Sequence, residues 1–316
     1  MRTRERLPGT PEPARYFAGA GGCRLAADEW GDPRGPLVIL QHGGGQTRHA
    51  WKGAGETLGR AGYHAIALDA RGHGDSDWAP DGVYGQDAMV DDLCRVLAQL
   101  GDRRPVLVGA SMGGGVSLVA CGEDRIDATA LVLVDIGHRI EREGTQKIQA
   151  FMSQRPEGFE RLEEVADAIA RYQPHRKRPS DLSGLAKNVR RGADGRFYWH
   201  WDPRFRTGHR DFEKREARLG ECARALRLPT LLVRGGLSDV LSEAGAREFL
   251  GLCTHSEYVN VSDAGHMVAG DRNDVFAQAV IGFLARVVPV DGKPAQSPHV
   301  RRPHHAGPPG DVNDVP

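Results

Sequence analysis

Residues 105–115 read PVLVGASMGGG, and this stretch decides the fold. A short, β-branched apolar run ends on Gly109, and a helical pattern starts at Met112. Between them stands Gly109-Ala110-Ser111-Met112-Gly113, a G-x-S-x-G set between a strand and a helix. That context makes a five-letter pattern informative. A sharp strand-to-helix turn crowds its own backbone, so small residues flank the central one. The turn lifts the Ser111 hydroxyl above the sheet edge. The following helix then places free N–H groups, at the positive end of its dipole, beneath any negative charge that develops there.

Outward from this turn, runs of the same kind recur at 36–41 (PLVILQ), 64–69 (HAIALD), 130–135 (ALVLVD), 229–234 (PTLLVR) and 256–261 (SEYVNV). Nearly continuous apolar runs suit strands buried on both faces, as in a parallel sheet. Helical stripes fill the gaps: Met89, Leu93, Val96, Leu97 and Leu100 form one, and Phe276, Val280, Phe283, Leu284 and Val287 another. Alternating strands and helices predict an α/β fold, a mostly parallel central sheet flanked by helices and joined by right-handed crossovers. Residues 15–30 predict a leading hairpin. The rhythm breaks from 137 to 227, which holds helical stretches around 144–154 and 159–172, a basic loop and an aromatic cluster, and reads as an inserted cap. The expected division is a disordered tail at 1–13, core at 14–136, cap at 137–227, core again at 228–288, and a disordered Pro-rich tail at 289–316.

Composition excludes several classes. The 316 residues carry 42 Lys and Arg against 42 Asp and Glu, without the basic excess of an electrostatic nucleic-acid binder. The hydrophobic share of 40% supports a sizeable core, and no apolar run reaches the roughly 18 residues of a membrane span. The expected partner is therefore a small molecule, with no nucleic acid and no membrane span. Cysteines at 23, 94, 121, 222 and 253 are odd in number and scattered, which favours neither a disulfide framework nor a zinc site. No metal and no cofactor is expected. The first residues, MRTRERLPGTPEP, lack the apolar stretch of a secretory signal, so a reducing, cytoplasmic setting is expected. Charge is uneven: 171–218 holds 14 Lys and Arg against 6 Asp and Glu.

A serine hydroxyl needs a base to become a nucleophile, and the base needs an orienting group. His266, in Asp263-Ala264-Gly265-His266, follows the last strand and is the expected base. Asp239, in Gly235-Gly236-Leu237-Ser238-Asp239 after the penultimate strand, is the expected acid. Asp135 and Asp263 are its rivals. After the run PLVILQ comes His42-Gly43-Gly44-Gly45-Gln46, whose glycines let backbone N–H groups face a ligand. With the Met112 N–H they suit an oxyanion. In the cap, Phe197-Tyr198-Trp199-His200-Trp201-Asp202-Pro203 is strongly aromatic. Trp199 and Trp201 are expected either to wall a pocket above Ser111, together with Gly43 and Gly45, or to anchor the cap. Arg176-Lys177-Arg178 reads as a solvated charge run, with an anion-binding role as the alternative, and His304-His305 as part of a solvated tail.

Taken together, these motifs resemble the α/β-hydrolase superfamily over roughly 15–288, in its Ser-Asp-His order. The resemblance includes Asp69-Ala70-Arg71-Gly72-His73-Gly74-Asp75-Ser76, similar to a structural D-x-R-G-x-G-x-S turn after the fourth strand. It implies Gly44 and Met112 as oxyanion donors, and a helical cap inserted after the sixth strand. Ser111 argues against the dehalogenases and epoxide hydrolases of this fold, which use Asp. HGGG followed by SMGG resembles the meta-cleavage carbon–carbon bond hydrolases, with departures: Gln46-Thr47 for Pro-Gly, Ala110 for Asn, and Met267 for Trp. Small carboxylesterases and non-haem haloperoxidases are similar in pattern too. The implied activity is that of a carboxylesterase-like serine hydrolase acting through an acyl-enzyme. The alternatives are carbon–carbon bond or amide hydrolysis of a carboxylate-bearing substrate, haloperoxidase or perhydrolase activity, and a non-catalytic ligand-binding role.

Overall fold

The computed structural model describes residues 5–101, 103–174, 181–206, 211–271 and 273–290. Arg176-Lys177-Arg178 and His304-His305 lie outside the described residues. The strands are β1 (Arg15–Ala18), β2 (Arg24–Trp30), β3 (Leu37–Gln41), β4 (His64–Leu68), β5 (Val106–Ala110), β6 (Ala130–Val134), β7 (Val189–Arg191), β8 (Phe197–Trp199), β9 (Thr230–Gly235) and β10 (Glu257–Val261). The α-helices are α1 (Lys52–Arg60), α2 (Gln86–Gln99), α3 (Met112–Gly122), α4 (Arg142–Ser153), α5 (Leu162–Tyr172), α6 (Phe212–Ala225), α7 (Glu243–Leu252), α8 (Val268–Asp271) and α9 (Asn273–Val287).

Eight strands form one sheet in the order β1-β2-β4-β3-β5-β6-β9-β10. β1 and β2 pair antiparallel as the expected leading hairpin, β2 joins β4 antiparallel, and every later pairing is parallel. The apolar runs explain the two-sided burial. Along β3, Leu37 and Ile39 face the side covered by α2, α3, α6 and α7, while Val38 and Leu40 face α1 and α9. On β6, Leu131 and Leu133 face the first side, and Val132 and Val134 the second. Both stripes read from the sequence are buried against it: Met89, Leu93, Val96 and Leu97 on α2, and Phe276, Val280, Phe283 and Leu284 on α9.

An insertion after β6 carries α4, α5 and a two-stranded antiparallel sheet of β7 and β8, which the sequence pattern did not reveal. α6, inside the interval expected as cap, packs on α3 and α7 of the core layer. No helix among the described residues is long and apolar enough to cross a membrane.

Candidate active site

The parallel strands end on one edge, and the loops leaving that edge build the site. The turn from β5 into α3 has the crowding its sequence implied. Ser111 sits at φ 47°, ψ −105°, a conformation L-residues avoid. A Cβ on Gly109 would lie 2.5 Å from the Gly113 carbonyl, and one on Gly113 would lie 2.6 Å from the Gln41 carbonyl oxygen. Both positions therefore demand glycine, because the backbone passes too close for any side chain. The Ser111 N–H is held by the Val134 carbonyl at 3.1 Å, which ties the turn to the neighbouring strand.

His266 leaves the loop between β10 and α8. Its Nδ1–H donates to Asp135 Oδ2 at 2.6 Å. A carboxylate can only accept, so this bond fixes a ring proton on Nδ1, and the neutral ring then carries its lone pair on Nε2. The expectation that Asp239 orients this ring is corrected by the structure. Asp135, the first residue after β6, is completely buried and left-handed at φ 51°. It also accepts the Gly235 N–H at 2.9 Å and the Ser238 hydroxyl. The physical reason lies in the turn after β9. Ser238 N–H returns to the Gly235 carbonyl at 3.0 Å, and Leu237 N–H reaches the Ala264 carbonyl at 2.9 Å. This curl aims Ser238 inward, where its Oγ also accepts the Val240 N–H at 3.1 Å. Asp239 is aimed outward, with a half-exposed side chain paired to Lys147 at 3.1 Å. Asp263, the other rival, is not the carboxylate on this ring.

The glycine loop after β3 is fastened by three buried histidines. His42 Nδ1–H donates to the Gly43 carbonyl at 2.7 Å while its Nε2 accepts the Ala70 N–H at 3.0 Å. His73 Nε2 accepts the Gly45 N–H at 3.2 Å. His200, from the insertion, donates to the Gly45 carbonyl at 3.3 Å and accepts the Gly74 N–H at 2.8 Å. Each ring must be neutral to do this. Burial lowers His42 to about 4 and holds His200 well below the usual histidine range. The loop's N–H groups are thereby sorted. Gly43 donates to Gln46 Oε1 at 3.0 Å and Gly45 to His73, whereas the Gly44 N–H has no acceptor among the described residues. Met112 begins α3, so its N–H also lacks an intrahelical acceptor.

These groups converge on a cavity of about 700 Å³. Ser111, Met112, His266 and Gly43 to Gly45 line its floor, and Trp199 and Trp201 line its roof. The two indoles stack at 4.9 Å, are nearly buried, and pack against Phe151 of α4, so they wall the cavity and tie β8 to α4 within the insertion. Asp239 does not line it. Sequence reading missed Ser238, His200 and the buried position of Asp135. The signal for Asp135 was available: it is the only charge closing an otherwise apolar strand adjacent to β5. The turn from Asp69 to Ser76 is structural, as its resemblance implied. Asp69 and Asp75 bind the buried Arg48 at 2.7 and 2.8 Å, and Arg71 pairs with Asp92 at 2.6 Å.

The family model described as alpha/beta hydrolase fold matches residues 36–272. The chain is similar to the esterase Rv0045c of Mycobacterium tuberculosis, with 32% identity over 282 residues, 87% of this chain and 89% of that protein. It is also similar to the 3-hydroxybutyrate-oligomer hydrolase of Cupriavidus necator, with 28% identity over 262 residues, 78% and 88% of the two chains. Among solved structures, an E-2-(acetamidomethylene)succinate hydrolase superposes with a TM-score of 0.75 at 24% identity, covering 85% of this chain and 98% of that one, a likeness of fold. With the sheet order, the turn at Ser111 and the family match in agreement, this chain belongs to the α/β-hydrolase-fold family.

Proposed function

We propose that the protein is a serine hydrolase of small-molecule esters, with Ser111 as nucleophile, His266 as base, Asp135 as its orienting acid, and the Gly44 and Met112 N–H groups as oxyanion donors. The observation that carries this reading is the bond from His266 Nδ1–H to Asp135, which makes Nε2 the basic nitrogen of the neutral ring, in a residue that lines the same cavity as Ser111. The hydroxyl proton passes to Nε2 as Oγ bonds the ester carbonyl carbon, and the oxyanion rests on the two backbone donors. His266 then gives that proton to the departing alkoxide, leaving an acyl-enzyme and an alcohol. Water repeats the sequence and releases the acid. Similarity to an esterase and to a hydrolase of 3-hydroxybutyrate oligomers, themselves esters, supports an ester as the bond cleaved.

A fluorophosphonate probe tests this directly. It should label Ser111, and Ser111→Ala should abolish both labelling and hydrolysis of short 4-nitrophenyl esters while circular dichroism stays unchanged. Turnover that survives in the folded variant overturns the assignment.

A further inference from the structure

The cavity is chemically lopsided. Ile140, Ile148, Phe151 and Ile169, from α4, α5 and the turn before α4, give it an apolar side. Another part of its lining, formed by the segment 46–50 and the residues before β7, is polar and contains Lys187 and Asn188. Lys187 is half-buried and has no carboxylate partner among the described residues. Its electrostatic neighbours make matters worse for it. Lys52 repels it, and His49, also in the lining, supplies no negative charge. Burial, with the repulsion from Lys52 second, pushes the Lys187 ammonium below the usual lysine range. Among the described residues the buried arginines each have a carboxylate within reach, Arg234 with Glu243 at 3.5 Å included. Arg48 is held by Asp28, Asp69 and Asp75, Arg71 by Asp92, and Arg190 by Asp75. A half-buried cation left without a counter-ion in a ligand-sized cavity costs stability unless something occupies that place when the site is in use.

We propose that Lys187 binds a carboxylate on the substrate, so that this site takes esters whose acyl or alcohol part carries a free carboxyl group at one end, with the apolar remainder against α4 and α5. This rests on the serine-hydrolase reading above and names its substrate class. A monoanion fits better than a phosphate. Burial, aided by Arg48, holds His49 below the usual histidine range, so among the lining residues of this corner Lys187 supplies the cationic group, an ammonium rather than a guanidinium fork.

The test compares the mono-4-nitrophenyl ester of glutaric acid with 4-nitrophenyl pentanoate, which matches its chain length without the charge. The wild-type chain should favour the charged ester by about tenfold in kcat/KM, chiefly through KM. Lys187→Met and Lys187→Gln should each erase about tenfold of that preference, and Lys187→Arg should keep most of it. A wild-type preference at or below unity overturns the proposal, and needs no variant to be seen. So does a preference that survives unchanged in folded Lys187→Met. Pentanoate turnover without discrimination removes the carboxylate assignment and leaves the hydrolase reading standing. Inactivity on both esters together with an unlabelled Ser111 removes both.

Discussion

Two aspartates stand beyond the ends of adjacent parallel strands, and their fates differ. Asp135 directly follows β6, is wholly buried, and receives hydrogen bonds from Gly235, Ser238 and His266. Asp239 lies a few residues past β9, half exposed, with the flexible ammonium of Lys147 as its partner. Either loop leaves the same edge of the sheet, so the strand order alone admits both. What separates them is the curl after Gly235, which faces Ser238 inward and its neighbour outward. A site residue is thus chosen by the direction a turn gives to one side chain, and adjacent residues in a turn can take opposite roles.

That comparison can be broken. Replacing Asp135 with Asn should lower kcat/KM for 4-nitrophenyl esters by about 10³–10⁴-fold, because an amide can present its NH₂ to the ring and hold it in the wrong tautomer. A comparable loss in Asp239→Asn, with Asp135→Asn active, would reverse the two roles. Ser238→Ala should have an intermediate effect, lowering kcat about tenfold with KM little changed. It removes one hydrogen bond from the carboxylate while leaving those of Gly235 and His266. Steady-state kinetics with a KM-against-kcat split reads that outcome. Asp239→Asn should be the mildest, altering kcat/KM by less than about twofold and leaving the thermal midpoint nearly in place, since an exposed ion pair contributes little.

The contrast also shows what the sequence made legible. The sheet strands were readable because a strand buried on both faces is apolar through its body, as β5 and β6 are throughout and β3 and β4 are apart from the terminal Gln41 and His64. The positions of Ser111 and His266 were readable because each stands in a glycine-containing turn just past a strand run, PVLVG and SEYVNV. The carboxylate that binds the His266 ring was not, because periodicity ends where the strand ends and the turn after β9 is set by backbone bonds to Ala264 and Gly235. The small sheet of the insertion escaped for a different reason. Its strands, VRR and FYW, are three residues each, too short to show alternation. Asp194-Gly195 between them, with Gly195 at φ 78°, was the one local hint of a hairpin.

The reach of His200 has a mechanical consequence. This residue belongs to the inserted segment, yet both its ring nitrogens bond the core at Gly45 and Gly74. Arg190 binds Asp75 beside it at 2.8 Å, and the Asp202 N–H bonds the Gly72 carbonyl at 2.8 Å. The β7–β8 end of the insertion is therefore riveted to the loops that carry Gly45 and Gly74, while α4 meets the β9 loop through Lys147, the Glu141 N–H on the Val240 carbonyl and the close approach of Gly144 to Asp239. Prying up the β7–β8 end would drag the Gly45 loop with it and pull the proposed donor Gly44 out of line with Ser111, so the inserted segment acts as a splint on that loop.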